Sequence, residues 1–322
     1  MTSLDSEYEA LRNGAGFRVA PQRLIVRFSG ADRFAFLHGM CTNDIQKLKP
    51  GSVLEALILT EHAHVIAGFH AFARETDLLI EVDRETWPRA RTHLEKFLVA
   101  DDVEIEELND LGVVEILGPR SAVVAAAIAG AAVLDLAPWR LVAAAERMVA
   151  RFPRYGCEAF TVIAPGAEVK SLAALLSHSS PEAVAVSCPA IDLVRIENGV
   201  AQIGTDTNEK TIALEARLEA AISYSKGCYI GQETIERATA RGGLKKKLFG
   251  LRIDAPHPPT VGSAVMLEGK EVGRVSSAAA SPRFGTIALA NLHYRAWEPS
   301  TTLTIRSDSS TLPARVSDLP FV

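Results

Sequence analysis

The sequence predicts an α+β protein that ends in a small antiparallel barrel. Three observations carry this. At 322 residues, the chain is too long for one ordinary core and suits two or three compact units. Through its first three quarters, runs of period-two alternation are followed by segments whose apolar residues recur every three or four positions, the pattern of strands packed by helices. From Leu248 the pattern changes to short alternating strands broken by turns, as in a small barrel. The predicted division is 1–244 for the mixed region and 245–322 for the barrel.

Residues 23–28 read as a strand, and Gly30-Ala31-Asp32 then caps a helix whose apolar positions are Phe34, Leu37, Cys41, Ile45 and Leu48. Cys41 lies on that stripe and reads as packing. Three strands follow at 53–59, 64–74 and 77–82, then a helix over 84–99 that turns Trp87, Leu94 and Leu98 inward. His62, His64 and His70 fall on one face of a regular strand, but no cysteine or nearby carboxylate completes a metal-ligand set, so no metal is expected. Residues 103–107 alternate like an exposed strand and 111–117 like a buried one, and Gly118-Pro119 opens an alanine-rich helix. Strands are expected at 147–151 and 160–164. The spacing of Leu214, Leu218 and Ile222 predicts an amphipathic helix over 211–224. Arg237, Arg241 and 245–247 form a basic stretch, which reads as a solvated face or as a partner for a polyanionic tail. Beyond it, turns are expected at 256–259, Glu268-Gly269-Lys270 and Ser281-Pro282.

Composition narrows the function classes. A formal charge of −5 and a pI near 5.9 argue against a general nucleic-acid surface. The four cysteines, at 41, 157, 188 and 228, show no C-x-x-C pair, which removes the usual zinc and dithiol motifs and fits a reducing compartment. The acidic start lacks the pattern of a signal peptide, and the apolar run 122–134 is shorter than the ~20 residues of a membrane helix. A soluble, cytoplasmic protein is expected. No P-loop or glycine-rich dinucleotide fingerprint occurs.

One stretch stands apart: Lys226-Gly227-Cys228-Tyr229-Ile230-Gly231-Gln232-Glu233. A thiol here lies between two glycines, two residues after a lysine and just before a run that reads as a helix. A nearby cation and a helix N-terminus both favour the thiolate. Local chemistry alone leaves two readings open, a reactive thiol and a buried space-filler.

The string resembles the K-G-C-[YF]-x-G-Q-E signature of the YgfZ family, folate-binding proteins that look like the glycine cleavage T-protein and serve iron–sulfur enzymes. The resemblance runs from about Arg23 to Pro299. Cys41-Thr42-Asn43-Asp44 is similar to the T-N-D turn of the T-protein, and 191–199 is similar to its R-[IL]-E-x-G segment. The resemblance implies a T-protein (aminomethyltransferase-like) fold with two interleaved α/β units and a C-terminal antiparallel β-barrel. It implies tetrahydrofolate as cofactor, with Asn43, Asp44, Arg195, Glu197, Tyr229 and Gln232 as binding residues. It makes Cys228, Lys226 and Glu233 the working residues, and iron–sulfur client or assembly proteins the partners. Arg195 would pair with a folate carboxylate; read without the resemblance, it is equally a helix-surface ion pair. Two departures matter. True aminomethyltransferases carry an aspartate pair where this chain has Ala67 and Gly68, and a pterin-contacting glutamate where it has Cys157. Glu158 lies one residue late and so on the opposite face of a strand. The expected function is support of iron–sulfur cluster assembly or repair. A folate-dependent aminomethyltransferase or demethylase, and a folate scaffold without thiol chemistry, are the alternatives.

Overall fold

Residues 3–179, 183–241, 243–306 and 311–321 are described by the structure, a computed structural model. In chain order the elements are α1 (Ser3–Asn13), β1 (Ala15–Val19), β2 (Arg23–Ser29), α2 (Arg33–Met40), β3 (Val53–Leu59), β4 (Val65–Ala73), β5 (Leu78–Asp83) and α3 (Trp87–Phe97). There follow β6 (Glu104–Glu107), β7 (Leu111–Leu117), α4 (Ser121–Ala129), β8 (Arg140–Ala144), β9 (Arg147–Arg151), β10 (Ala159–Pro165), α5 (Gly166–Ser179), β11 (Ala183–Ala185) and α6 (Cys188–Glu197). The chain ends with α7 (Gln232–Arg241), β12 (Lys246–Ile253), β13 (Ala264–Leu267), β14 (Lys270–Ser281), β15 (Gly285–His293), β16 (Thr302–Arg306) and β17 (Thr311–Ser317).

Two compact units emerge, neither continuous in sequence: residues 1–60, 66–191 and 221–230 form the first, and 61–65, 192–220 and 231–322 the second. The first unit is built from two sheets, ordered β3-β4-β5-β2-β6 and β11-β1-β7-β10-β9-β8. Period-two alternation gives each strand two destinations. In β5, Leu78, Ile80 and Val82 join Phe36, Leu37, Trp87 and Leu94 beneath α2 and α3, while Leu79 joins Ile25, Phe72, Val113 and Ile163. In β10, Phe160, Val162 and Ala164 pack with Val124, Ile128, Leu172 and Leu176 of α4 and α5. The layering is therefore helices, sheet, sheet, helices, with Ile25, Phe72, Val113 and Ile163 in the middle seam.

The second unit holds a closed six-stranded antiparallel barrel, β12-β15-β14-β13-β16-β17. Phe249, Leu251, Val265, Val275, Ala288, Ala290, Ile305 and Val316 belong to its core cluster. A tight turn at Glu268-Gly269, both with positive φ (50° and 77°), joins β13 to β14, as the sequence predicts. Leu248, Ile287 and Leu289 point instead to a separate cluster with Ile196 and Phe321.

Two predicted helices are corrected. The segment 211–224 forms turns, a bridge from Ile212 to His64 and a single 3-10 turn at Glu219–Ala221. Its backbone is spent on tertiary partners: Thr211 accepts from the Val65 amide, Glu215 from the Leu248 amide, and Arg217 takes φ 59°. Those bonds replace the i to i−4 ladder that the leucine spacing suggests. The helix after Asp32 ends at Met40, because Cys41 is extended and bridges Ile58 of β3. Ile45 and Leu48 reach the core through a 3-10 turn at Ile45–Lys47.

Candidate functional site

The motif around Cys228 is an exposed two-residue tip held on both sides. Gly227 and Cys228 are exposed, whereas Lys226 and Tyr229 are buried. A helix leaves its last carbonyls without intrahelical donors. At the end of α2 those donors come from the motif: Lys226 Nζ donates to the His38 carbonyl, to Cys41 O at 2.7 Å and to Asn43 O at 3.1 Å, and the Ile230 amide donates to Gly39 O at 3.2 Å. An ammonium has three hydrogens, and all three are spent on main-chain carbonyls. A cation at a helix C-terminus also meets the favourable end of the dipole. Burial lowers the Lys226 pKa, against the opposing pull of Cys41 and Asp44. Its Nζ lies 4.9 Å from the Tyr229 ring centroid, a cation–π contact. The lysine that the sequence pairs with the thiol is thus the clamp of the Cys41-Thr42-Asn43-Asp44 turn.

That turn is fastened from several sides. Thr42 Oγ1 donates to Ala221 O at 2.6 Å and accepts from the Leu57 amide at 2.9 Å. Asn43 spends its amide group on Glu55 O (2.7 Å) and its side-chain oxygen on the Asp44 amide (2.8 Å). Asp44 meets Lys47 Nζ at 2.6 Å and His38 Nδ1 at 3.4 Å. Burial would raise its pKa, but the Lys47 hydrogen bond and charge outweigh this and hold it below the ordinary value. Cys41 is buried, and burial pushes its thiol up to about 11, in keeping with packing.

Arg195 is enclosed, at 1% exposure. Four of its five N–H donors are used: on Asp192 Oδ1 (2.5 Å), Val200 O (3.2 Å), Asp206 Oδ2 (2.7 Å) and Ser277 Oγ (2.7 Å). A bulge in β14 between Val275 and Ser277 turns Ser276 and Ser277 alike toward Asp206 Oδ1, at 2.5 and 2.7 Å. The exposed-helix reading of Arg195 is therefore replaced by a buried ionic network. Glu197 is also buried and accepts from Ser281 Oγ at 2.5 Å. Gln232 donates to Glu236 at 2.7 Å, and Glu233 is exposed with Arg237 at 4.0 Å. In the basic stretch, Lys247 pairs with Glu219 at 3.3 Å, and the Arg241 side chain lies outside the described residues.

The seam between the two sheets holds a charged cluster that the sequence reading missed. Glu81 of β5 and Glu115 of β7 are fully enclosed and meet Arg154, Arg23 and Arg18, with the Tyr155 hydroxyl accepting from Arg18 at 2.7 Å. Burial pushes the Glu115 pKa up, but the three guanidiniums overcome it and the net direction is down. His70 lies tilted against Phe152 (4.3 Å between ring centres), and burial with Arg154 and Arg23 drives its pKa well below the ordinary value. Signals were present, since Glu81 and Glu115 sit at inward positions of otherwise apolar strands. His62 and His64 are 6.0 Å apart between ring centres, His70 belongs to this separate cluster, and no group of metal-ligating side chains occurs among the described residues. Glu158 pairs with Arg151 at 2.5 Å beside the half-buried Cys157.

A four-layered sheet sandwich together with a closed barrel is the architecture of the T-protein class. The GCVT N-terminal domain matches residues 1–226 and the glycine cleavage T-protein C-terminal barrel domain matches 246–322. The chain belongs to the glycine cleavage T-protein family. Among its relatives, the aminomethyltransferase of Rubrobacter xylanophilus is 27% identical, covering 99% of this chain and 86% of that one. A putative chloroplastic transferase of Arabidopsis thaliana is also 27% identical, over 92% of this chain and 69% of the relative. The crystal structure of the glycine cleavage system aminomethyltransferase T from Bartonella henselae superimposes with a TM-score of 0.90 at 20% identity, covering 99% of this chain and 89% of that one, which establishes the T-protein fold. No helix among the described residues is long and apolar enough to cross a membrane.

Proposed function

We propose that this chain binds tetrahydrofolate and supports assembly or repair of iron–sulfur clusters in client enzymes through the Cys228 thiol, without acting as an aminomethyltransferase. The observation that carries the reading is the exposed Gly227-Cys228 tip, fixed by buried Lys226 on one side and buried Tyr229 on the other. A soft sulfur so presented suits contact with a cluster or a partner's thiol. The resemblance to the YgfZ signature gives that thiol its setting, and Ala67 and Gly68 of β4 lack the carboxylates of the group-transfer enzymes.

The residues fit a folate in part. Asp44 is held ionised and half-buried, ready to accept from N–H groups of a pterin. Arg195 spends its donors on Asp206 and Ser277 of its own unit rather than on a folate tail. When bound, tetrahydrofolate would supply a carrier for one-carbon groups; the chain's own part is to bind and orient it. The names of several relatives favour a second reading, an aminomethyltransferase.

Three measurements decide. Calorimetry with tetrahydrofolate is expected to show binding in the micromolar range, about −8 kcal/mol, and no heat at millimolar folate would sink the folate reading. Release of methylene-folate from an aminomethyl-lipoyl carrier is expected to be absent, and turnover at the level of a genuine T-protein would favour the second reading. In cells lacking the protein, Cys228→Ser should fail to restore iron–sulfur enzyme activity, and full restoration would leave a folate scaffold.

A further inference from the structure

The basic stretch that begins on α7 has no part in the thiol reading, yet in the second unit it borders two cavities. One, of about 450 Å³, is walled by the turn between β13 and β14 and by the end of β15, and it bears Lys245, Lys270 and Arg295. The other, of about 340 Å³, lies against α7 and bears Arg237 and Lys245. Lys245 lines both, so the two adjoin there as one groove, and every residue lining it belongs to the second unit.

The backbone beneath these cations is fixed. The Tyr294 amide donates to the Lys245 carbonyl at 2.9 Å, Lys246 pairs with His293 across β12 and β15, and Lys270 opens β14 directly after the Glu268-Gly269 turn. Their charges are uncommitted. Lys245, Lys270 and Arg295 are exposed, and their side chains make no hydrogen bond or ion pair with another described residue. Arg237 is held loosely, with Thr234 Oγ1 at 3.4 Å and Glu233 at 4.0 Å. The nearby carboxylates are mostly taken: Glu271 by Arg274 at 3.0 Å, and Glu215 by the Ile212 amide at 3.1 Å, with burial raising the Glu215 pKa. Glu268 lines the groove with no side-chain partner among the described residues. Four cations therefore stand against one uncommitted carboxylate, in a chain whose net charge is −5. Like charges gathered along a cleft focus a positive potential that draws anions.

Two features select the anion. The cations are spread over two adjoining cavities, which fits an extended chain of charges better than a compact ion. They also begin on α7, whose first residue, Gln232, is assigned to folate by the resemblance; Arg237 is five residues on, about 7.5 Å along the helix axis. We propose that the groove from Arg237 through Lys245 to Lys270 and Arg295 binds the γ-linked glutamate tail of a folate. The proposal rests on the folate reading given under Proposed function. Such a tail offers one free carboxylate per added glutamate, and long Lys and Arg side chains have the reach to follow it. The exposed Tyr294 ring, 4.3 Å from that of His293 between centres, offers an apolar surface to the methylenes between those carboxylates.

The test measures affinity by calorimetry for tetrahydrofolate monoglutamate and pentaglutamate, in wild type and in the double variant Lys245→Gln, Lys270→Gln. Each exposed ion pair is weak, so several together should make the pentaglutamate bind about tenfold more tightly than the monoglutamate in wild type. That ratio should fall to within about twofold in the double variant, and also in wild type in about 1 M salt, where screening acts beyond ~3 Å. Equal affinities of the two forms in wild type, or a ratio that the double variant leaves unchanged, would overturn the proposal. A second measurement does without the pterin. Penta-γ-glutamate alone should shift the ring resonances of Tyr294 in wild type and leave them in place in the double variant, and no shift in wild type would overturn the proposal. If neither folate form binds while the free peptide still shifts Tyr294, the folate reading falls and the groove stands as a site for γ-glutamyl chains.

Discussion

Replacing Lys226 by methionine isolates what its ammonium does, because the stem that fills the buried channel is nearly kept. In the wild type the ammonium satisfies the carbonyls of His38, Cys41 and Asn43, and in the variant these lose their donor at the end of α2. A buried acceptor left unsatisfied costs about 1–3 kcal/mol. Three such groups would cost at least ~3 kcal/mol if no water replaced the donor. Two effects reduce this: the variant no longer buries a charge, and Asn43 is only half-buried, which admits solvent. A net destabilisation of about 2–4 kcal/mol is expected. With a urea slope of about 3 kcal/mol per molar for a chain of this size, the unfolding midpoint should fall by about 1 M. Lys226→Arg should not rescue it, since a planar fork does not reproduce three convergent bonds. A Lys226→Met midpoint within about 0.2 M of wild type would refute the clamp and return the lysine to the thiol as partner.

Arg195→Ala should cost about 3–5 kcal/mol, because it leaves Asp206 as a buried charge without its cation. Loss of folate binding with unchanged unfolding midpoint would show instead that Arg195 serves the ligand. The pH dependence of stability should carry a histidine signature. His70 has a depressed folded pKa, so the unfolded chain takes the proton first; its contribution is full above about pH 6.5 and is lost as pH falls below it, by up to about 1.4 kcal/mol per unit. His38 acts in the same direction. His70→Phe, with an aromatic ring kept against Phe152, should flatten part of this slope in urea midpoints measured near pH 7 and near pH 5.5. An unchanged slope would assign the effect elsewhere.

Strands were legible wherever one face had to be apolar. The nearly continuous apolar runs at 78–82 and 111–117 mark strands buried on both faces, and the pleat then sends alternate residues to the helices. The barrel was legible from its turns, as at Glu268-Gly269. What escaped was set by partners far away in sequence. Leu214, Leu218 and Ile222 have helical spacing, but three and four residues apart is also a spacing that turns produce when each apolar residue finds its own pocket. Glu81 and Glu115 stand at inward positions of apolar strands, a local signal, but only the stacking of two sheets makes them neighbours of three arginines. The sequence sets Lys226 beside the thiol, although its bonds reach back more than 180 residues.

The second compact unit has a consequence for how the protein comes off the ribosome. Asp206 and Arg195 emerge well before Ser276 and Ser277, and Ile196 well before Leu289 and Phe321. For the time it takes to translate some eighty further residues, roughly 4–16 s at ordinary elongation rates, this segment carries a buried-type ion pair and an apolar wall with nothing to cover them. The nascent chain therefore depends on its last strands to complete a part begun a hundred residues earlier. A barrel cut away at 246 would meet the same deficit from the other side, with Leu248, Ile287 and Leu289 facing water.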